Sequence, residues 1–311
     1  MRYNPKARLD SSQVQVRRGG GRGGGGMGGL PMGGGGGGGL KIGGGIGGII
    51  VLVLIFLLQS QLGGSPSVGP GAGGGSGTET SLENCESGAD ANRDRTCALQ
   101  ADVNSIQAFW SEALPEQTGV EYREATTILF PEGRVDTGCG SATSDVGPFY
   151  CSVDERVYLD PAFFEEMLQG QLGARGGPFS EAYVIAHEYG HHVQNILGTM
   201  GQVRTQQGPN SDAVRLELQA DCYAGIWAKY ATEVPDETGE PFIIELTQQD
   251  VEDALDAARA VGDDRIQKRS TGRVDPDRWT HGSAQQRMDW FNTGRRTGSV
   301  EACDTFSASR L

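Results

Sequence analysis

Residues His187-Glu188-Tyr189-Gly190-His191 form the pattern H-E-x-x-H. On a helix, two histidines four positions apart differ by only about 40° around the axis, so both imidazoles can meet one cation. Zn²⁺ suits such a pair, because neutral imidazole nitrogens bind it at about 2.0–2.1 Å in a loosely tetrahedral shell. Glu188 adjoins the first of the two and projects beside the ion, where it can take a proton from a water that the ion activates. A catalytic zinc holds three protein ligands and one open position, so the third must come from elsewhere. Glu217-Leu218-Gln219-Ala220-Asp221 offers it, with Glu and Asp again one helical turn apart. Glu217 can ligate while Asp221 accepts the outer N–H of a ligand histidine and fixes its tautomer.

The chain has only four histidines, His187, His191, His192 and His281, so the rivals can be weighed one by one. His192 stands about 100° off the ligand face. The longer motif H-E-x-x-H-x-x-G-x-x-H is excluded, since Gln194 and Leu197 stand where it needs Gly and His. His281 precedes a helix in Thr280-His281-Gly282-Ser283. It can donate to the oxyanion that forms when a carbonyl is attacked, or merely satisfy local backbone at the helix start; the spacing does not choose. Tyr183 and Tyr189 are further possible donors, with packing the simpler role for each. A His-Glu-His cluster can also be a salt-bridged surface feature. Here Ile185, Ala186, Val193 and Ile196 make the helix apolar on several sides, which implies burial, and buried ionisable groups need partners such as a metal.

The elements that must carry these residues are legible from periodicity and caps. A 3.6-type rhythm of apolar residues runs from Thr96 to Leu114 and meets Pro115. Short β-rich runs follow at Thr126–Phe130, Pro148–Ser152 and Arg156–Leu159. Asp160-Pro161 opens a short helix through Leu168. Ser180 caps the H-E-x-x-H helix, expected from Glu181 to Leu197, and Ser211 caps the Glu217 helix to Tyr230. Thr247 caps another over Gln248–Val261, and the box Ser283-Ala-Gln-Gln286 opens a last one to Asn292, stopped by Gly294. This is an α+β layout, mainly helical with a small sheet. The strand at Arg156–Leu159 is expected to pair with an extended substrate.

The amino end reads differently. Of the 50 glycines, 29 fall within the first 77 residues, and tracts 19–48 and 63–77 have linker composition. Between Lys41 and Gln59 lie seventeen uncharged residues, dense in Ile, Leu and Val, at the short end for a spanning helix. Seven Lys/Arg precede or flank the run and none follows until Arg93. That asymmetry implies a single-pass anchor with a cytoplasmic N-terminus and a periplasmic or extracellular domain; a cleaved leader is the rival, but no A-x-A site follows. The expected division is a basic Gly-rich tail over 1–41, a transmembrane helix over 42–62, a linker over 63–80 and a metallopeptidase-like domain over 81–311.

All six cysteines lie beyond the apolar run, on the side expected to be oxidising, and no C-x-x-C spacing suggests a metal site. Short loops favour Cys85–Cys97 and Cys139–Cys151, leaving Cys222 for Cys303. Residues 63–311 carry 19 basic and 39 acidic side chains, a net −20 that would be repelled by a phosphate backbone, so no nucleic-acid partner is expected.

Three stretches together are specific: His187–His192 as HEYGHH, Glu217–Gly225 as ELQADCYAG, and Thr280-His281-Gly-Ser followed by Gln286-Arg-Met-Asp-Trp-Phe. With Cys139-Gly-Ser, Gly147-Pro-Phe-Tyr-Cys151 and Val157-Tyr-Leu-Asp160, the chain resembles the neutral zinc metallopeptidases of bacteria over about residues 80–306. The resemblance implies a membrane-anchored, zincin-like protein. The combined expectation is a zinc-dependent endopeptidase with His187, His191 and Glu217 as ligands, Glu188 and His281 as catalytic groups, Asp221 behind the ligands, and a peptide or protein substrate. Two alternatives stay open: a non-catalytic envelope module with structural zinc, and a zinc hydrolase of a non-peptide amide or ester.

Overall fold

The structure, a computed structural model, describes residues 1–17, 79–82, 84–131 and 133–311. The first of these stretches is part of the fold. Strand β1 (Arg2–Tyr3) pairs far along the chain, and β2 (Val14–Arg17) lies inside a five-stranded sheet between its antiparallel partner β3 (Glu79–Ser81) and its parallel partner β4 (Thr126–Leu129). Ala7 and Val14 are fully buried. Tyr3 is buried as well, and its hydroxyl donates to the buried carboxylate of Asp102 at 2.9 Å.

Two expectations are corrected here. Among the described residues no helix is long and apolar enough to cross a membrane, and the apolar run at 42–62 lies outside those residues. The single-pass topology, with the N-terminus cytoplasmic and the domain across the membrane, does not stand either. Arg17 and Glu79 are register partners on β2 and β3, so residues 1–17 and the later chain share one sheet. The amino-terminal charges had suggested a solvated tail, whereas Tyr3, Ala7 and Val14 are apolar contacts spaced too widely to show a period.

After β3, the short α1 (Gly88–Ala91) leads to the long α2 (Arg95–Thr118), capped by Asp94 and closed by Gly119 at φ 73°. Pro115 sits inside its last turn, where one lost hydrogen bond is tolerable, and the helix runs past the stop read from sequence. The hairpin β5 (Arg134–Thr137) and β6 (Gly140–Thr143) precedes β7 (Phe149–Cys151) and β8 (Arg156–Leu159), giving the sheet order β3-β2-β4-β8-β7. The strand expected to meet substrate, Arg156–Leu159, is therefore interior, and among the described residues β3 and β7 are the edges. Phe164–Gln171 then forms a π-helical segment.

The helical layer contains α3 (Pro178–Ile196) and α4 (Asp212–Tyr230); β9 (Ile243–Glu245), which pairs with β1; then α5 (Gln248–Ala260), α6 (Asp263–Thr271) and α7 (Ala284–Thr297). Three caps read from sequence are used: Ser211 accepts from Val214 N–H, and Thr247 and Ser283 complete capping boxes; Ser180 is not one, because α3 starts a turn earlier, at Pro178 after Gly177, and buries it. Helix α4 is central, and small residues let its neighbours approach. A Cβ on Gly190 of α3 would stand 2.9 Å from the Ala220 carbonyl oxygen of α4. A Cβ on Gly294 of α7 would stand 1.8 Å from the Cys222 carbonyl oxygen. Gly294 thus serves a helix crossing; the stop is Gly298, at φ 70°. The disulfides are Cys85–Cys97, Cys139–Cys151 and Cys222–Cys303, the last tying α4 to the carboxyl end.

Candidate active site

The close crossing at Gly190 and Ala220 brings the two chemical motifs face to face. His187 and His191 lie on one face of α3, and Glu217 faces them from α4 with its Oε2 3.2 Å from His187 Nε2 and its Oε1 3.5 Å from His191 Nε2. One ligand atom from each of these three residues lies within 4.8 Å of the others, and all three side chains are buried.

Each imidazole is oriented from behind. His187 Nδ1 donates to Asp221 Oδ1 at 2.8 Å, and His191 Nδ1 donates to Gln194 Oε1 at 2.8 Å. Nε2 is thereby the nitrogen that each ring turns toward Glu217, the one that would bind a metal once deprotonated. The Gln194 amide is itself fixed, donating to the Leu216 carbonyl at 2.7 Å and to Gln219 at 3.0 Å. Asp221 accepts from Tyr183 at 2.6 Å and from Arg287 through Nε at 2.7 Å and Nη2 at 2.9 Å. Two imidazoles with locked tautomers and a buried carboxylate fit Zn²⁺ in ligand type and number.

The electrostatics follow from this packing. Burial opposes the charge on Asp221, yet the Arg287 guanidinium and His187 hold its pKa down to about 2. Burial likewise works against Glu217, and His281, His191 and His187 outweigh it, keeping that carboxylate well below its ordinary range. Burial, helped by the neighbouring His187 charge, drives His191 down to about 4, whereas for His187 the Asp221 carboxylate overcomes burial and lifts it to about 10. For Glu188 burial, with the nearby Glu217 charge, outweighs His187 and Arg287 and pushes the carboxyl up to about 7, the range suited to a group that takes and returns a proton near neutrality.

Glu188 and His281 line the same cleft as the three candidate ligands. His281 is held by a device absent from the sequence reading. Asp263 Oδ2, at the start of α6, accepts the main-chain N–H groups of Thr280, His281 and Gly282 at 2.7, 2.7 and 3.1 Å. Burial opposes charge on His281, but Glu217 and Asp263 raise its pKa. Gln194, Arg287 and Asp263 are the supporting residues that motif reading passed over. Gln194 had a signal in its i+3 spacing from His191. Arg287 had one too, being the one charged residue in the buried stripe Ala284, Arg287, Phe291, Gly294.

Two facing helices thus bring His187, His191 and Glu217 together as a group that could hold a metal ion, with an acid beside the first histidine in the pattern H-E-x-x-H. The chain belongs to the family described as "Putative neutral zinc metallopeptidase", whose model matches residues 1–306. Among its relatives is Rv2575 of Mycobacterium tuberculosis H37Rv, named as uncharacterized. It is 53% identical over 232 residues, which cover 74% of this chain and 77% of the relative. YpfJ of Escherichia coli K12, also named as uncharacterized, is 44% identical over 201 residues, covering 62% and 66% respectively. No solved structure matches the chain.

Proposed function

We propose that this chain is a zinc-dependent endopeptidase, with His187, His191 and Glu217 as the ligands. The observation that carries the reading is the convergence of those three donor atoms within 4.8 Å in a cleft that Glu188 also lines. Bound there, zinc supplies a water of lowered pKa and polarises the carbonyl to be cleaved. The chain's own residues do the rest. Glu188, with its pKa near 7, takes the proton from the attacking water and delivers it to the departing amine. His281, held toward the cleft by Asp263, donates to the carbonyl oxygen as negative charge develops on it. Asp221 and Arg287 keep His187 in its ligating tautomer.

A peptide substrate is favoured over a small amide by the edge strand. β7 borders the cleft through Phe149 and Tyr150, and its outer side offers main-chain groups to an extended chain. The decisive experiment is a Glu188→Gln variant assayed with zinc on a peptide library. Zinc binding should persist while cleavage falls by about 10²–10⁴-fold, the usual weight of general acid–base catalysis. Undiminished zinc-dependent cleavage by that variant would refute the role given to Glu188.

A further inference from the structure

The HEYGHH run contains a third histidine for which the metal cradle has no use. His192 is fully buried, and both its ring nitrogens are occupied. Nε2 lies 2.5 Å from the Arg123 carbonyl and must be the protonated nitrogen, so Nδ1 accepts from the Tyr150 hydroxyl at 2.9 Å. That hydroxyl in turn accepts from the Asn195 amide at 3.1 Å. Arg123 carbonyl, His192, Tyr150 and Asn195 thus form one chain of hydrogen bonds with donors and acceptors matched. Burial keeps His192 below the ordinary histidine range, consistent with a neutral ring in this chain.

The position of Tyr150 gives the network its consequence. It is the middle residue of β7, a strand of three residues paired on one side only, with β8. So short an edge strand is weakly held by its ladder. Yet it forms a wall of the cleft that Glu188 also lines, and the Tyr150 main chain is among the groups that lower the Glu188 pKa. Helix α3 therefore presents two working faces: His187 and His191 toward Glu217, and His192 and Asn195 toward the strand.

We propose that His192 and Asn195 are positioning residues which hold the Tyr150 hydroxyl and so fix β7 beside Glu188 as a preset wall for an extended substrate. The role rests on the peptidase reading, but the grip on the strand can be measured without turnover. In the full-length, zinc-loaded protein, Tyr150→Phe removes the gripped hydroxyl and keeps the ring. Amide hydrogen exchange at residues 149–151 should accelerate at least tenfold in this variant and in His192→Leu. It should return toward the wild-type rate in His192→Asn, which restores an acceptor near Nδ1. With a cleavable peptide, KM should rise about tenfold, the scale of one hydrogen bond, while kcat and zinc affinity stay within about threefold. The Tyr150→Phe, His192→Leu double variant should be no worse than either single one, because all act through the same bond. Unchanged exchange at 149–151 in Tyr150→Phe would overturn the proposal, as would a loss appearing in kcat or zinc affinity instead of KM. Should His192→Leu not fold, Asn195→Ala with Tyr150→Phe carries the same comparison. A wild-type protein that binds zinc but cleaves no peptide would sink the peptidase reading alone, leaving the exchange rates to decide the grip.

Discussion

The metal cradle and the docked amino-terminal arm each centre on a buried aspartate, and the two are held in opposite ways. Behind the cradle, Asp221 is fully buried yet anionic, because Arg287 meets it with two hydrogen bonds and His187 with a third. Beneath the arm, Asp102 is 1% exposed, and burial, with the Glu181 charge, outweighs the Tyr3 hydroxyl and the more distant amino terminus and pushes its pKa well above the ordinary carboxylate range. A buried carboxylate keeps its charge where a function requires it and cations are supplied, and gives it up where packing is the only demand. The cradle surrounds its aspartate with cations; the arm is tied down by apolar contacts, hydrogen bonds and the Met1–Asp250 and Arg2–Glu245 ion pairs, and none of its cations touches Asp102.

The largest expected effect separates the two regions outright. Glu217→Ala should weaken zinc binding on the order of a thousandfold, read by metal content after dialysis, since one of three donors is lost. Changes in the arm should leave zinc affinity unaltered in the folded protein. Equal zinc loss from an arm variant such as Tyr3→Phe would erase the distinction.

Next in size, Arg287→Ala strands the Asp221 charge and should cost about 3–5 kcal/mol in denaturant unfolding of the zinc-free protein. Tyr3→Phe removes the hydroxyl that donates to Asp102 and should cost less, about 1–3 kcal/mol. If the order were reversed, the arm rather than the cradle would hold the more demanding buried group.

The smallest effect is in pH dependence, where the signs differ. Asp221, held at about 2 in the fold, contributes stability present above the unfolded carboxylate pKa of about 3.9 and lost as pH falls from there toward 2. Asp102 binds its proton more tightly folded than unfolded, so its contribution is intact below about 3.9 and is lost as pH rises through its raised value. Asp102→Asn should therefore match wild type in thermal midpoint near pH 4 and exceed it by a growing margin toward pH 8. A constant offset across that range would mean that Asp102 does not titrate in the fold.

The same contrast explains what the sequence could disclose. The cradle is built from local spacing: i,i+4 on α3, i,i+4 on α4, and caps at Ser211 and Ser283 that start the helices where expected. Even the supporting Gln194 and Arg287 sit at helical intervals. The arm depends on pairings across long separations, Tyr3 with Ile243 and Val14 with Thr127, and no local period marks it. Its charged residues and the glycine tract beyond it suggested a tail, and the membrane topology drawn from that charge asymmetry fell with the tail. Gly294 misled in a related way: glycine reads as a helix stop, but here it admits the Cys222 carbonyl of a crossing helix. Asp263 was invisible because it grips main-chain N–H groups 17 to 19 residues away.

The most direct measurement is X-ray absorption at the zinc edge on the purified full-length protein loaded with one equivalent of zinc. Two imidazole nitrogens and oxygen donors are expected, with one imidazole lost in His191→Ala, a carboxylate oxygen lost in Glu217→Ala, and one oxygen exchangeable for an added hydroxamate. Sulfur in the shell, a spectrum indifferent to Glu217, or four protein donors that no hydroxamate displaces would contradict a catalytic zinc held by His187, His191 and Glu217.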